Sequence, residues 1–246
     1  MASILGHRNL ALASIAFFFG PVCEAAAQDY HPLTVGSQWE YFSTVDGTDM
    51  MSITGEEEVL GTLTRVRREI AEAETIDTFL TQDAAGNLFC HGSRNLTLHL
   101  EFAFVPPLRM VDAPLSLGKT WTITQVMRYH FDGTPFTEEP FDLVFRVYTE
   151  GNVSVPAGDF FAYGVGYSLG FPGRFRASAG DLDILGHHPR DQNRQSYPME
   201  WYAVGVGLVI HTYLEDEQLG YRLVSYSIVP TATHNETWSG IKVLFR

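Results

Sequence analysis

The chain has almost no lysine. Lys119 and Lys242 are the only two, and 16 basic residues stand against 29 acidic ones, which gives a formal net charge of −13. DNA and anionic lipid headgroups are bound through clustered basic side chains. The sequence therefore predicts no nucleic-acid partner and no attraction to an anionic membrane surface.

Long apolar runs are also scarce. Residues 1–27 have the pattern of a signal peptide, with Arg8 near the start, an uncharged apolar run over residues 10–19 and small residues up to Ala27. That run is shorter than the ~20 residues a membrane-spanning helix needs, and no later run is long enough. We therefore expect cleavage after Ala27, export to the periplasm or the extracellular space, and no stable membrane span afterwards.

Cysteine is limited to Cys23 and Cys90. Val22 and Gly20 stand where a lipid-attachment signal has a small residue and usually leucine, so we do not expect a lipid anchor at Cys23. Cleavage would leave Cys90 alone, which excludes an intramolecular disulfide. The exported domain must then be held together by its core, and 45% hydrophobic and 13% aromatic residues are typical of a globular protein.

A short motif occurs twice in the chain. Residues 31–41 and 113–123 both read Pro-Leu-hydroxyl-aliphatic-Gly-x-x-Trp and continue with alternating residues. Proline and glycine mark a turn, and the tryptophan begins a strand whose side chains alternate between two faces. We predict that each copy opens a comparable run of antiparallel strands.

Turn residues and alternating segments fill most of the remaining sequence. They predict strands at residues 50–59, 63–72, 75–81, 88–90, 96–102, 120–131, 141–148 and 221–229, and hairpins at 152–161, with Pro-Ala-Gly at the bend, and at 201–210. The predicted fold class is all-β: an antiparallel, strongly curved sheet, barrel or sandwich built from two similar strand runs.

The predicted organisation has three parts. A cleaved signal peptide covers residues 1–27, and a single β-rich domain covers 28–229, with the pseudo-repeat starting near residues 31 and 113. Residues 230–246 form a linker and C-terminal tail. Apolar residues at helical spacing predict a short helix in this tail: Trp238, Ile241, Leu244 and Phe245.

Three motifs carry a resemblance to other proteins. They are Pro-Leu-x-x-Gly-x-x-Trp, Val-x-Val-Pro-Ala-Gly-x-Phe at residues 153–160 and Trp-Tyr-Ala-x-Gly-Val-Gly-Leu-Val at 201–209. Together they resemble a loose group of bacterial secreted or envelope proteins, rich in β structure and largely uncharacterised. The resemblance implies a fold and a compartment, and it supplies no catalytic residue.

Two matches to catalytic motifs lack their structural context. Ser168 lies in a Gly-x-Ser-x-Gly sequence, the pattern of a hydrolase nucleophile, but Pro172 and Gly173 follow where a helix should start. Residues 113–120 fit a relaxed phosphate-binding loop and also spell Ser-x-x-Lys. The first copy of the repeat has Gly36-Ser37-Gln38 at the same place, so a turn is predicted there. Ser168 stays a weak catalytic candidate.

Residues 170–198 read as a long loop rich in glycine, arginine, aspartate and histidine. Such loops in compact domains are often functional. The histidines lack the His-x-x-x-His spacing, and Leu185 and Gln192 stand where a calcium-binding loop needs oxygen ligands. We predict no cofactor, and the weak candidates for metal ligation are Asp181, Asp183, His187, His188 and Asp191.

The sequence favours a non-enzymatic exported protein that binds a ligand or a partner. The predicted partner is a small apolar ligand enclosed by the curved sheet, which the aromatic content permits, or an envelope protein. Two alternatives remain open. One is a secreted hydrolase or metal-dependent enzyme that uses the loop at 170–198, and the other is a structural component of a surface assembly.

Overall fold

Twelve antiparallel strands make up the described part of the chain. The computed structural model describes residues 28–44, 47–71, 74–135, 140–170, 198–213 and 216–230. The strands are β1 (Gln38–Ser43), β2 (Gly47–Val59), β3 (Thr62–Ile70), β4 (Thr75–Gln82), β5 (Leu88–Asn95), β6 (Leu100–Val111), β7 (Thr120–Tyr129), β8 (Phe141–Val155), β9 (Gly158–Gly170), β10 (Pro198–Ala203), β11 (Gly207–Tyr213) and β12 (Asp216–Ser227).

Each strand pairs with its neighbours in sequence, and β1 pairs with β12, which closes the sheet into a barrel. At the closure, Gln38 lies opposite Ser227 and Tyr41 opposite Leu223. The predicted all-β, antiparallel, strongly curved fold is confirmed, and of the three predicted shapes the barrel is the one observed. No helix occurs among the described residues, and the helix predicted in the tail lies outside them.

The inward faces of the strands follow the period of two. On β1, Trp39 and Tyr41 are fully buried, and on β8 the same holds for Leu143, Phe145 and Val147. Side chains two residues apart lie on one face of a strand, so these apolar residues all point into the barrel. The main core of the protein therefore fills the interior.

One predicted strand begins later than its alternation suggested. Residues 96–102 alternate, but residues 96–99 form the turn between β5 and β6, and His99 has a φ of 54°. The Asn95 side chain accepts a hydrogen bond from the Leu98 amide at 2.8 Å. This local bond stabilises a turn in place of the strand.

The first copy of the repeated motif forms a turn that is bonded to β2. The Ser37 amide donates to the Thr34 carbonyl at 3.0 Å, and the Gly36 amide donates to the Ile53 carbonyl at 2.8 Å. The Ile53 amide in return donates to the Ser37 carbonyl at 3.0 Å. The turn thus fixes where β1 begins beside β2.

The second copy repeats this pattern on β8. The Lys119 amide donates to the Ser116 carbonyl at 3.0 Å, and the Gly118 amide to the Val147 carbonyl at 2.9 Å. The Val147 amide donates to the Lys119 carbonyl at 2.9 Å. Since β7 is six strands from β1 around the barrel, the two copies begin two runs of six strands on opposite sides.

Alanine at Gly118 should lower the free energy of unfolding by about 1–2 kcal/mol, because Gly118 has a φ of 81° and an L side chain is disfavoured there. No other described atom lies within 4 Å of the added methyl group. At Gly36 the methyl group would also lie 3.3 Å from Val229 Cγ2, so we expect at least as large a loss. Urea denaturation measures both variants, and an unchanged stability for Gly118→Ala would contradict the prediction.

Residues 28–37 cross one end of the barrel. Tyr30 and His31 are fully buried there. The Tyr30 hydroxyl accepts a hydrogen bond from the Leu115 amide at 3.0 Å, and the Asp29 carbonyl accepts one from the Gly205 amide at 2.6 Å. These contacts join the segment to turns on the far side of the barrel. We call this end, where the odd-numbered strands begin, the plugged end.

Candidate functional site

Charged and phenolic side chains lie inside the barrel beside the apolar core. We call them the interior polar cluster, and its members come from three strands: Tyr41 (β1), Arg67 and Glu69 (β3), Glu200 and Tyr202 (β10). Tyr41 lies two residues further from the plugged end than Trp39. The cluster therefore lies deeper in the barrel than the plug.

Arg67 is the cation of this cluster. It is 5% exposed, and its Nη2 donates to Thr78 Oγ1 at 3.5 Å. Its Nε has no hydrogen-bond partner, and no carboxylate oxygen of the described residues lies within 4.0 Å of the guanidinium. A guanidinium carries five N–H donors, and the Nε–H of Arg67 is available to another molecule.

The carboxylates of the cluster act on Arg67 from a distance. Burial lowers the pKa of its guanidinium, but the negative charges of Glu69 and Glu200 outweigh burial and raise the pKa above the usual value. Arg67 is therefore charged at neutral pH. It is held by long-range attraction to Glu69 and Glu200, with the Thr78 hydroxyl as its hydrogen-bond acceptor.

Arg94 shows how this chain pairs an arginine elsewhere. Its Nη1 and Nη2 donate to the two carboxylate oxygens of Glu57 at 3.1 and 2.6 Å, and its Nε donates to Glu101 at 2.9 Å. Its guanidinium also lies 5.2 Å from the ring centroid of Phe79. This arginine is more exposed than Arg67, and all three of its guanidinium nitrogens have a partner.

Glu200 is a buried carboxylate of the cluster. The Tyr202 hydroxyl donates to its Oε2, and His211 Nδ1 lies 3.9 Å from its Oε1. Burial and the nearby Glu200 charge raise the pKa of Tyr202 well above its usual value. The Tyr41 hydroxyl donates to the Leu208 carbonyl at 2.8 Å, and burial raises its pKa as well. Both phenols are therefore neutral hydrogen-bonding groups.

His31 is the second buried group with unpaired polar atoms. It is fully buried, and neither ring nitrogen has a partner among the described residues. Its ring stacks on Trp39 with centroids 5.1 Å apart and planes 17° from parallel. A methyl group at Gly207 would lie 2.8 Å from His31 Nδ1, so glycine there makes room for the ring. Burial and the charge of Arg67 lower its pKa well below the usual value, and the imidazole is neutral.

Cys90 should not react with thiol reagents in the folded protein. It is fully buried, and burial raises the pKa of its thiol to about 12. Because the thiolate is the nucleophile, the native protein should release no chromophore from a disulfide reagent at pH 8. Under denaturing conditions the reaction should be complete. Rapid reaction of the native, exported protein would contradict this prediction.

The residues singled out from the sequence are placed as follows. Ser168 lies within β9, half-buried and opposite Val144 of β8. Residues 113–120 form the turn before β7. Within the described ranges, no group of three histidine, cysteine, aspartate or glutamate side chains is placed to hold a metal ion. The candidate metal ligands lie outside the described residues: Asp181, Asp183, His187, His188 and Asp191.

A small cleft lies where the β2–β3 turn meets β6. Its volume is about 150 Å³, and it is lined mostly by apolar residues together with His91. His91 Nε2 lies 2.8 Å from Thr81 Oγ1, and burial lowers the pKa of the imidazole. Ligand pockets are usually roughly 300–1,000 Å³, so this cleft is smaller than a usual ligand pocket. The apolar ligand stays a prediction.

Comparison with known proteins assigns no family. No family model matches the chain, and no curated protein matches it. One similar solved structure is a candidate lipoprotein from Parabacteroides distasonis ATCC 8503, with 11% identity, a TM-score of 0.39, and coverage of 82% of this chain and 99% of that one. Another is a candidate exported protein with a YmcC-like fold from Bacteroides fragilis NCTC 9343, with 14% identity, a TM-score of 0.41, and coverage of 81% and 99%.

The sequence predicts no stable membrane span after cleavage. In the part of the chain that the structure describes, no helix is long and apolar enough to cross a bilayer.

Proposed function

We propose that the chain is an exported, non-enzymatic binding protein that holds a small polar ligand at the interior polar cluster. The observation that carries this proposal is the guanidinium of Arg67, which is buried in the barrel with its Nε unpaired. Export is supported by the signal-peptide pattern of residues 1–27.

The cost of burying Arg67 supports a ligand. Removing an ion from water costs several kcal/mol even after the protein relaxes, and a buried donor without a partner adds about 1–3 kcal/mol. Long-range attraction to Glu69 and Glu200 offsets part of that cost without supplying an acceptor for the Nε–H. A bound molecule with acceptor oxygens would supply them.

The titratable groups around the cluster suit binding better than catalysis. General acid–base catalysis needs a group whose pKa lies near the working pH. Burial holds the thiol of Cys90 and the hydroxyls of Tyr41 and Tyr202 protonated, and it holds His31 neutral. These side chains can donate or accept hydrogen bonds, but at neutral pH they do not exchange protons readily.

Native mass spectrometry of the full chain, recovered from the exported fraction, tests the proposal. We expect a mass excess of a small molecule that disappears on denaturation. The Arg67→Met variant should lose it, and the matched Arg65→Met variant should keep it, since Arg65 is partly exposed and paired with Glu56. A mass equal to that of the bare chain, with no thermal stabilisation by any small polar compound, would overturn the proposal. Co-purification of a second protein in place of the ligand would favour the envelope-partner alternative.

A further inference from the structure

The segment at the plugged end is docked through a buried histidine. We propose that residues 28–33 form an acid-sensitive closure of the barrel, in which protonation of His31 releases the segment while the strands stay paired. This closure acts on the fold itself and needs no bound ligand, so its test is separate from that of the proposed function.

His31 is held at the barrel end by its shape and not by hydrogen bonds of its ring. The ring is fully buried and stacks on Trp39 with centroids 5.1 Å apart. A methyl group at Gly207 would lie 2.8 Å from its Nδ1, so the ring fits closely. Neither ring nitrogen has a partner among the described residues. A phenyl ring would stack on Trp39 without two unsatisfied polar atoms, so packing alone gives no reason for an imidazole here.

The groups around His31 disfavour a second positive charge. Burial and then the positive charge of Arg67 on β3 lower the pKa of His31 well below its usual value. In its own segment, Asp29 Oδ1 accepts from the backbone amide of His31 at 3.0 Å, while Trp39 and Gly207 carry no charge. No carboxylate oxygen of the described residues lies within 4.0 Å of either ring nitrogen. An imidazolium would therefore be buried near another cation without a counterion.

The hydrogen bonds that dock the segment lie outside the strand ladder. The Leu115 amide donates to the Tyr30 hydroxyl at 3.0 Å, and the Gly205 amide donates to the Asp29 carbonyl at 2.6 Å. The turn at residues 34–37 has its own bonds to β2, and strand pairing starts after it. The segment before this turn can therefore leave without breaking a strand pair of the barrel.

Acid favours the released segment. Once released and exposed, His31 takes up a proton near its usual pKa of about 6.5, whereas the docked histidine stays neutral. Docking is therefore at full strength above about pH 6.5, and it weakens as the pH falls from there towards the lowered pKa of the docked histidine. An exported chain is exposed to the pH of the surrounding medium, which makes this range accessible to it.

Hydrogen exchange followed by nuclear magnetic resonance on the exported full chain measures the release. The amides of Leu115 and Gly205 lose their acceptors when the segment leaves. The Gly118 amide, bonded to the Val147 carbonyl in a turn at the same end, is the internal control. After correction for the intrinsic exchange rate, the protection of Leu115 and Gly205 should fall by roughly tenfold to thirtyfold between about pH 7.5 and pH 5.0. Gly118 should keep its protection.

Two variants assign the effect to His31. His31→Gln has no titratable group at this position, so the protection of Leu115 and Gly205 should stay constant over the same pH range. His91→Gln removes another partly buried histidine, which lines the cleft beside β6, and should respond as the unaltered protein does. If His31→Gln is already released at neutral pH, the ring protons of His31 in the unaltered protein decide the question, because they should titrate together with the loss of protection.

Three results would overturn the closure. One is unchanged protection of Leu115 and Gly205 down to about pH 5.0. Another is an equal loss at Gly118, since the whole barrel would then be opening. The third is the same loss in His31→Gln, which would assign the effect to a different group. Each of them leaves the proposed interior ligand untouched, because native mass spectrometry at neutral pH tests that ligand independently.

Discussion

Replacing Trp39 with alanine is expected to lower the free energy of unfolding by about 3–5 kcal/mol, the usual cost of truncating a buried tryptophan. Trp39 is fully buried and stacks on His31 beneath the plug. Its Nε1 donates to the Val206 carbonyl at 2.6 Å, which ties β1 to the β10–β11 turn. The variant would lose the packing and this bond together. Urea denaturation followed by far-ultraviolet circular dichroism measures the loss without relying on tryptophan fluorescence.

Two matched variants separate the causes. Trp39→Phe keeps an aromatic ring on His31 but leaves the Val206 carbonyl without its donor, so about 1–3 kcal/mol should be lost. Trp121→Ala changes the equivalent tryptophan of the second repeat. Trp121 also donates to a carbonyl, that of Arg109 at 2.7 Å, and we expect a loss of the same order. A loss under 1 kcal/mol for Trp39→Ala would show that Trp39 does not anchor the plug.

Much of the fold was predictable because its determinants are local. Antiparallel strands joined by short turns can be recognised in a sequence from their turn residues and from side chains that alternate with a period of two. The Pro-Ala-Gly turn at residues 156–158, for example, joins β8 to β9 as the sequence indicated. Closure was not predictable, since it depends on pairing between β1 and β12, nearly two hundred residues apart. Nothing local distinguishes a barrel strand from a sandwich strand.

The interior polar cluster was missed for a similar reason. Arg65 and Arg67 share one face of β3 by their spacing, yet Arg65 is partly exposed and paired with Glu56, while Arg67 is buried. Arg67 lies opposite Ile53, which is bonded to the turn before β1, and Arg65 lies opposite Glu56, past the start of β1. Burial is set by where the neighbouring strand begins. The sequence of β3 does not indicate where β1 begins, so it does not predict which of the two arginines is buried.

A signal for Glu200 was present but weak. The Trp-Tyr-Ala motif that carries the resemblance begins at Trp201, and Glu200 lies one residue before it. An acidic residue two positions from Tyr202 in a β-strand shares its face. Because Tyr202 is apolar enough to face a core, Glu200 could have been expected beside it. The arginine that carries the opposite charge, Arg67, could not have been identified from the sequence.

The second large effect is expected at Arg67. Replacement with methionine should lower the free energy of unfolding by about 3–5 kcal/mol, because removing one member of a buried charge group leaves the others uncompensated. Methionine keeps an unbranched side chain of similar length, so packing is largely retained. The Glu69 and Glu200 charges raise the pKa of Arg67, which means that the fold favours its charged form. Chemical denaturation of the ligand-free protein at neutral pH gives the measurement.

A double-mutant cycle shows whether the loss comes from charge. Arg67→Met combined with Glu200→Gln should lose less than the two single variants added together, with a coupling of about 1–3 kcal/mol. The control Arg65→Met should change stability by no more than about 0.5 kcal/mol, because exposed ion pairs contribute little. Additive losses would mean that Arg67 and Glu200 do not act on each other.

The double-mutant cycle also tests whether the charges of the interior polar cluster stabilise the fold. Buried ion pairs replaced by uncharged groups of similar size often leave a protein as stable as before or more so. If the double variant recovers most of the stability of the unaltered protein, the charges do not serve to hold the barrel together. Their retention in an interior otherwise filled with aromatic and aliphatic side chains then requires another use. The polar ligand proposed at the interior polar cluster would supply one, and the same double variant should no longer bind it.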